Sequence, residues 1–133
     1  MIIYHHLIII LSLLSLKSFA LSDDVHTYKS KQIKIVNNGK EVESYTKTDN
    51  ILSLNMSDST ITFDSPSTEI MHFLEDKHHF RFTTHVNISA TLQMFTTDSD
   101  FFFTFDHSKQ VIQVSKKGEN PGLHSIWLEH FVE

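Results

Sequence analysis

Ile33-Lys34-Ile35-Val36-Asn37-Asn38-Gly39-Lys40-Glu41-Val42-Glu43 is the stretch whose reading decides the fold. Its centre, Asn38-Gly39, suits a two-residue type I′ turn, because both central positions of that turn need positive φ. Counting outward sets Ile35 opposite Val42 and Lys34 opposite Glu43. The first pair gives an apolar face and the second a face of opposite charges, so register and side-chain chemistry agree.

The same count works along the rest of the chain. A turn at Ser57-Asp58 pairs Leu54 with Ile61 and Leu52 with Phe63, with Met56 on the same side. A turn around Asp76-Lys77 pairs Phe73 with Phe80 and Met71 with Phe82. A turn at Asp98-Ser99 pairs Met94 with Phe103 and Leu92 with Phe105. A loop from Asp106 to Lys109 then sets Phe103 against Ile112 and Phe101 against Val114. A slip of one residue in any of these would scatter the apolar side chains over both faces. The expected core is Met56, Phe63, Met71, Phe73, Phe80, Phe82, Met94, Phe101, Phe103 and Phe105.

Two segments admit two readings. Ser65 to Glu75 carries Pro66 where a short helical turn would begin, ahead of a strand around Met71 and Phe73. Leu123 to Phe131 has helical spacing, but it also works as a last strand with Trp127 and Phe131 on one side, and the β context favours that. The fold predicted is a single all-β domain of about eight to ten short antiparallel strands, connected as a meander, in a compact barrel or a two-sheet sandwich.

Ahead of this domain, Met1 to Ala20 reads as a secretory signal peptide. The apolar block Leu7 to Leu16 is too short to span a bilayer, which needs about 20 apolar residues. It is followed by Ser18-Phe19-Ala20, whose small residues suit cleavage before Leu21. His5 and His6 stand where Lys or Arg is usual, so an uncleaved N-terminal anchor is the alternative. Residues 21–133 are then one β-rich domain, secreted or periplasmic, without stable membrane insertion once the leader is removed.

The chain has no cysteine. Small secreted eukaryotic domains usually lean on disulfides, so this absence favours a Gram-negative envelope or a bacterial secreted protein, and it excludes a lipoprotein. Burial must supply the stability. Of the 11 Phe residues, only Phe19 falls in the leader, and each buries on the order of 150–250 Å². The net charge of −5, with Lys116-Lys117 the one adjacent basic pair, gives no footprint for nucleic acid or anionic lipid.

Chemical signatures are weak. His72, His78, His79 and His85 lie close in sequence, but on strands His79 and His85 are about 20 Å apart, His78 points away from them and His72 faces Arg81. Asp98, Asp100 and Asp106 lack the spacing and the glycine of a calcium loop. Ser125 beside His124 is adjacency only, and no Cys or Gly-x-Ser-x-Gly nucleophile is present. Asn55-Met56-Ser57 and Asn87-Ile88-Ser89 match the glycosylation pattern, which in a bacterial host is coincidence. No enzyme, metal or cofactor is expected.

What remains is aromatic. With Phe101, Phe103 and Phe105 inside, Phe102 faces outward opposite Phe95, and Trp127 joins them if the last strand passes close by. Phe95, Phe102 and Trp127 are therefore the candidate binding residues. The function expected is a non-catalytic binding or interaction module whose partner is a protein, a glycan or an apolar small molecule. The alternative is a small carrier with an apolar ligand inside a calycin-like barrel. The Gly-x-Trp signature of lipocalins is missing, and bulky core residues tend to fill a small barrel.

Overall fold

The computed structural model describes residues 24–133. The expected leader, Met1 to Ala20, lies outside the described residues. Eight antiparallel strands follow one another: β1 (Val25–Asn37), β2 (Lys40–Asn55), β3 (Thr60–Asp64), β4 (His79–Asn87), β5 (Leu92–Thr97), β6 (Phe101–Asp106), β7 (Val111–Lys116) and β8 (His124–Glu129). Each pairs with the next and β8 returns to β1, so the sheet closes into a barrel. Closure decides between the two expected architectures in favour of the barrel. Among the described residues one helix, α1 (Thr68–Phe73), joins β3 to β4.

The interior is solid with aromatic rings. Phe63, Phe80, Phe95, Phe101, Phe103 and Phe105 are all fully buried, together with Leu52, Ile61 and Ile112. Phe80 meets Phe103 edge-on at 5.0 Å, and Phe95 meets Phe105 edge-on at 5.2 Å, the geometry the ring quadrupoles prefer. At roughly 25 cal/mol per Å² of apolar area removed from water, such a core holds a small domain without disulfides.

Two hairpins form as the sequence predicts. Asn38 (φ 53) and Gly39 (φ 80) make the type I′ turn, pairing Ile35 with Val42 and Lys34 with Glu43. Leu54 pairs with Ile61 and Leu52 with Phe63. The tail is a strand, as favoured.

Four expectations are corrected. The hairpin at Asp76-Lys77 does not exist. Phe73 lies on α1, and Phe80 pairs with Ile61. The helix starts because the Ser67 side chain accepts a hydrogen bond from the Ile70 amide (3.3 Å), one residue after Pro66. Ile70 and the capping residue Leu74, four residues apart and so on one face of the helical turn, are both fully buried and join the core from the barrel end.

Second, β5 and β6 are slipped by one residue from the expected register. Phe95 pairs with Phe103, Met94 with Thr104, and Phe102 with Thr96. The connection holds three residues rather than two, because buried Thr97 organises it. Its hydroxyl donates to the Phe101 carbonyl (2.6 Å) and accepts from the Ser99 amide (3.2 Å). Met94 therefore turns outward and Phe95 inward.

Third, β6 and β7 are shifted by two residues, which keeps the faces. Phe103 pairs with Val114 and Phe105 with Ile112. The Asp106 carboxylate accepts from the amides of Ser108 and Lys109 and from the Ser108 hydroxyl, and Gln110 at φ 56 closes the loop. The Ser108 hydroxyl, foremost, holds the Asp106 carboxyl below the usual range.

Fourth, Trp127 and Phe131 do not share a face. Ile126 and Leu128 point inward, so Trp127 points outward. His130, at φ 53, then turns the chain and brings Phe131 edge-on to Tyr28 at 4.9 Å. A bulge between Phe82 and Thr84 likewise separates His79, which is exposed, from His85. The latter stacks on Phe95 at 4.5 Å. His72 lies on α1, away from any pairing with Arg81.

Candidate functional site

The three predicted binding residues do not form one patch. Phe95 is fully buried, enclosed by Phe82, Phe105 and the His85 ring. Phe102 is half-buried on the outer wall, opposite Ser115. Ser115 faces Ser125, and Trp127 stands two residues further along β8. Trp127 is already engaged. Its indole N–H donates to the Ser125 hydroxyl (2.8 Å), and the Lys34 ammonium sits 4.0 Å from its ring centre, a cation–π arrangement. Phe102 lies on the outer face of β6, as expected, and the one-residue slip takes Phe95 inside.

A more open feature lies at the helix end. Only Ile51–Asn55 of β2 pairs with β3. Lys40–Tyr45 pairs with β1 on one side, and its other edge has no strand partner among the described residues. The two halves are separated by a wide bulge in which Thr46–Asp49 stand opposite Lys31 alone. Buried Asn50 fixes this break. Its side-chain amide donates to the Ser30 carbonyl (2.9 Å) and to the Thr46 hydroxyl (3.0 Å), and its oxygen accepts from the Ser65 hydroxyl. Such a break bends the strand and ends its pairing with β3.

Two depressions lie between this half of β2 and the start of α1. One, of about 420 Å³, is lined by Ile35, Asn37, Asn38, Lys40, Val42 and Glu69. The other, of about 400 Å³, lies between Ser44–Lys47 of β2 and Pro66–Glu69, with Ile33 on its floor. Val42 is 54% exposed and Tyr45 77% exposed, the largest exposure of any apolar or aromatic side chain on the strands. The result is a groove with a strand edge on one side and the start of a helix on the other. Comparison with known proteins finds no matching family, curated relative or solved structure.

The hairpin geometry says which backbone groups the edge presents. A two-residue turn makes Asn37 and Lys40 a hydrogen-bonded pair, so alternate residues point their N–H and C=O toward β1. Lys40, Val42 and Ser44 therefore bond β1, while Glu41, Glu43 and Tyr45 aim theirs at the open edge. An extended chain laid there meets, in a row, three N–H and three C=O groups that have no backbone partner among the described residues.

The opposite barrel mouth is polar and cross-linked. Gln93 accepts from or donates to three neighbours: His107 (2.7 Å), His85 (3.2 Å) and Asn87 (3.1 Å). With Gln93 Oε1 turned to His107, the ring nitrogen there donates, and His85 Nε2 accepts from the Gln93 amide. His26 bonds the Glu133 carboxylate (2.5 Å). Tyr28, 2% exposed, borders the same depression of about 280 Å³. Burial, with a smaller contribution from the Glu133 charge, pushes its hydroxyl up to about 12. Among the described residues no group of three His, Cys, Asp or Glu is placed to hold a metal ion.

Nothing in the sequence near Lys40–Tyr45 marks it as an edge, because that property depends on how far β3 extends. The signals that were legible are the length of the apolar-poor run between Glu43 and Asn50, and Ser65-Pro66-Ser67 ahead of α1.

Proposed function

We propose that this chain is a secreted or periplasmic, non-catalytic binding module that takes an extended segment of a protein partner by strand addition at Lys40–Tyr45. The single observation that carries the reading is the open edge of β2 facing α1 across a groove. In strand addition the main-chain bonds supply affinity, and depressions beside the edge receive alternate side chains. Both parts of that arrangement are present here. A protein segment fits such a groove better than a glycan, because the free groups along it are backbone N–H and C=O at strand spacing.

The filled interior argues against the alternative, an apolar ligand carried inside the barrel. Six fully buried Phe rings occupy the volume a carrier would keep for its cargo. Phe102 and Trp127 remain a secondary contact surface on the far wall.

The test is a random peptide display selection against the wild-type domain, repeated with Glu43→Pro. Proline removes one edge-facing N–H and leaves the β1 ladder whole, since proline is tolerated on edges. Peptides selected by the wild type should lose binding to Glu43→Pro. Equal binding to both would sink the reading, and selection of peptides displaced by Phe102→Ser instead would move the site to the outer wall.

A further inference from the structure

We infer that the segment taken up at the β2 edge alternates basic and aliphatic side chains, with Lys or Arg opposite Glu43 and aliphatic residues on either side of it. The inference rests on the strand-addition reading. In an added antiparallel strand, directly opposed residues share a face, and their neighbours point to the other face. The outer face of the edge carries Glu41, Glu43 and Tyr45, all exposed. Glu41 is partly neutralised by the Lys34 ammonium at 3.8 Å. Among the described residues Glu43 has only a neutral partner, the Gln32 amide at 3.3 Å, so no cation of the chain competes there with an incoming one.

The inner face differs. Val42 and Ser44 point toward the two depressions, whose floors are Ile35 and Ile33. Side chains of the added strand that flank the basic residue enter these depressions and meet aliphatic surface. Successive inner positions of an extended strand lie about 7 Å apart, the same step that separates Val42 from Ser44. Pattern and spacing therefore agree.

The same charges oppose a second copy of this chain as the occupant. Antiparallel self-pairing centred on Val42 sets Glu41 against Glu43, and pairing centred on Glu43 sets that residue against itself. Like charges directly opposite are destabilising, and charged edges are a common guard against self-association.

The experiment titrates the domain with three blocked seven-residue peptides, alternating lysine with valine, threonine with valine, and glutamate with valine. Binding is followed by calorimetry at low and high salt. The lysine peptide should bind tightest, by roughly twofold to fivefold per opposed charge pair over the threonine peptide, and salt should erase the difference. Glu43→Gln should lower the preference by one such factor while leaving the threonine peptide unaffected.

Binding of all three peptides with equal affinity, still abolished by Glu43→Pro, would overturn the charge pattern and leave strand addition standing. Unchanged binding of the lysine peptide to Glu43→Pro and to Tyr45→Pro, both checked as folded by circular dichroism, would overturn strand addition itself. Failure of all three peptides to bind at millimolar concentration would overturn both. Concentration-dependent dimerisation lost in Glu43→Pro would assign the edge to a second copy and overturn the proposal.

Discussion

Replacing Phe95 by Ala, beside Met94→Ala, tests the register on which the core depends. Phe95 is fully buried and its ring lies 5.0 Å from Phe82, 5.2 Å from Phe105 and 4.5 Å from the stacked His85 imidazole. Removing it forfeits the transfer energy of a whole ring and leaves a cavity that a closed barrel collapses around only in part. Phe→Ala changes of this kind cost about 3–5 kcal/mol. The three ring contacts, each worth about 0.5–1.5 kcal/mol beyond area, place Phe95 toward the upper part of that range. A loss of about 4 kcal/mol is a large share of a small domain's stability of roughly 5–15 kcal/mol. It lowers Tm by on the order of 20 °C for a chain of this size. Met94 points outward between Val86 and Thr104, so its truncation should stay within about 1 kcal/mol. Urea melts followed by circular dichroism give both values, and Phe95→Leu keeps a folded variant in the series if Ala proves too severe. Equal costs at 94 and 95, or a larger one at Met94, would refute the three-residue turn and the inward placement of Phe95.

Asn50→Ala should cost about 1–3 kcal/mol, because it strands the buried Ser30 carbonyl and takes a partner from the half-buried Thr46 and Ser65 hydroxyls, and it should speed amide exchange across Lys40–Tyr45; an unchanged melt would remove Asn50 as the anchor of the bulge. Tyr28 is held neutral in the fold up to about 12, whereas in the unfolded chain it ionises near its ordinary value. The unfolded state therefore binds fewer protons between about pH 10 and 12, and stability falls as pH rises through that window, by about 2–3 kcal/mol at its end. Tyr28→Phe should flatten that slope, which parallel alkaline melts will read. Asp106 has its carboxyl lowered, so its contribution is present above the unfolded value and lost as pH falls through the folded one. Asp106→Ala should therefore lose stability at neutral pH and show a shallower acid limb than wild type below about pH 4.

How much of this was legible in the sequence depended on where the deciding interaction lies. Asn38-Gly39 announces its own turn because the two residues satisfy the φ demand locally, and the pairs on either side follow by counting. Leu52 and Leu54 against Phe63 and Ile61 follow in the same way. The register of β5 with β6 was not readable, because it turns on the Thr97 hydroxyl bridging to Phe101, a bond that adds a residue to the loop without changing its composition. The helix was half visible: Pro66 marked it, but Ser67 rather than Ser65 supplied the cap. The side taken by His85 was hidden because the bulge at Phe82 and Thr84 resets alternation midway along β4. Trp127 and Phe131 parted company over His130, a residue that gives no sequence warning of a left-handed turn. The candidate groove was the least legible part. Lys40–Tyr45 is an edge only because β3 stops at Asp64 and Asn50 breaks the strand, and both facts come from long-range pairing.

Backbone amide exchange on the free domain and on its complex with the alternating lysine and valine peptide tests the central claim most directly. The amides of Glu41, Glu43 and Tyr45, which face the open edge, should exchange quickly in the free protein and become protected in the complex. Those of Val42 and Ser44, already bonded to β1, should be slow in both. Protection that appeared instead around Phe102 and Trp127, or that fell on all five amides alike, would contradict strand addition at β2.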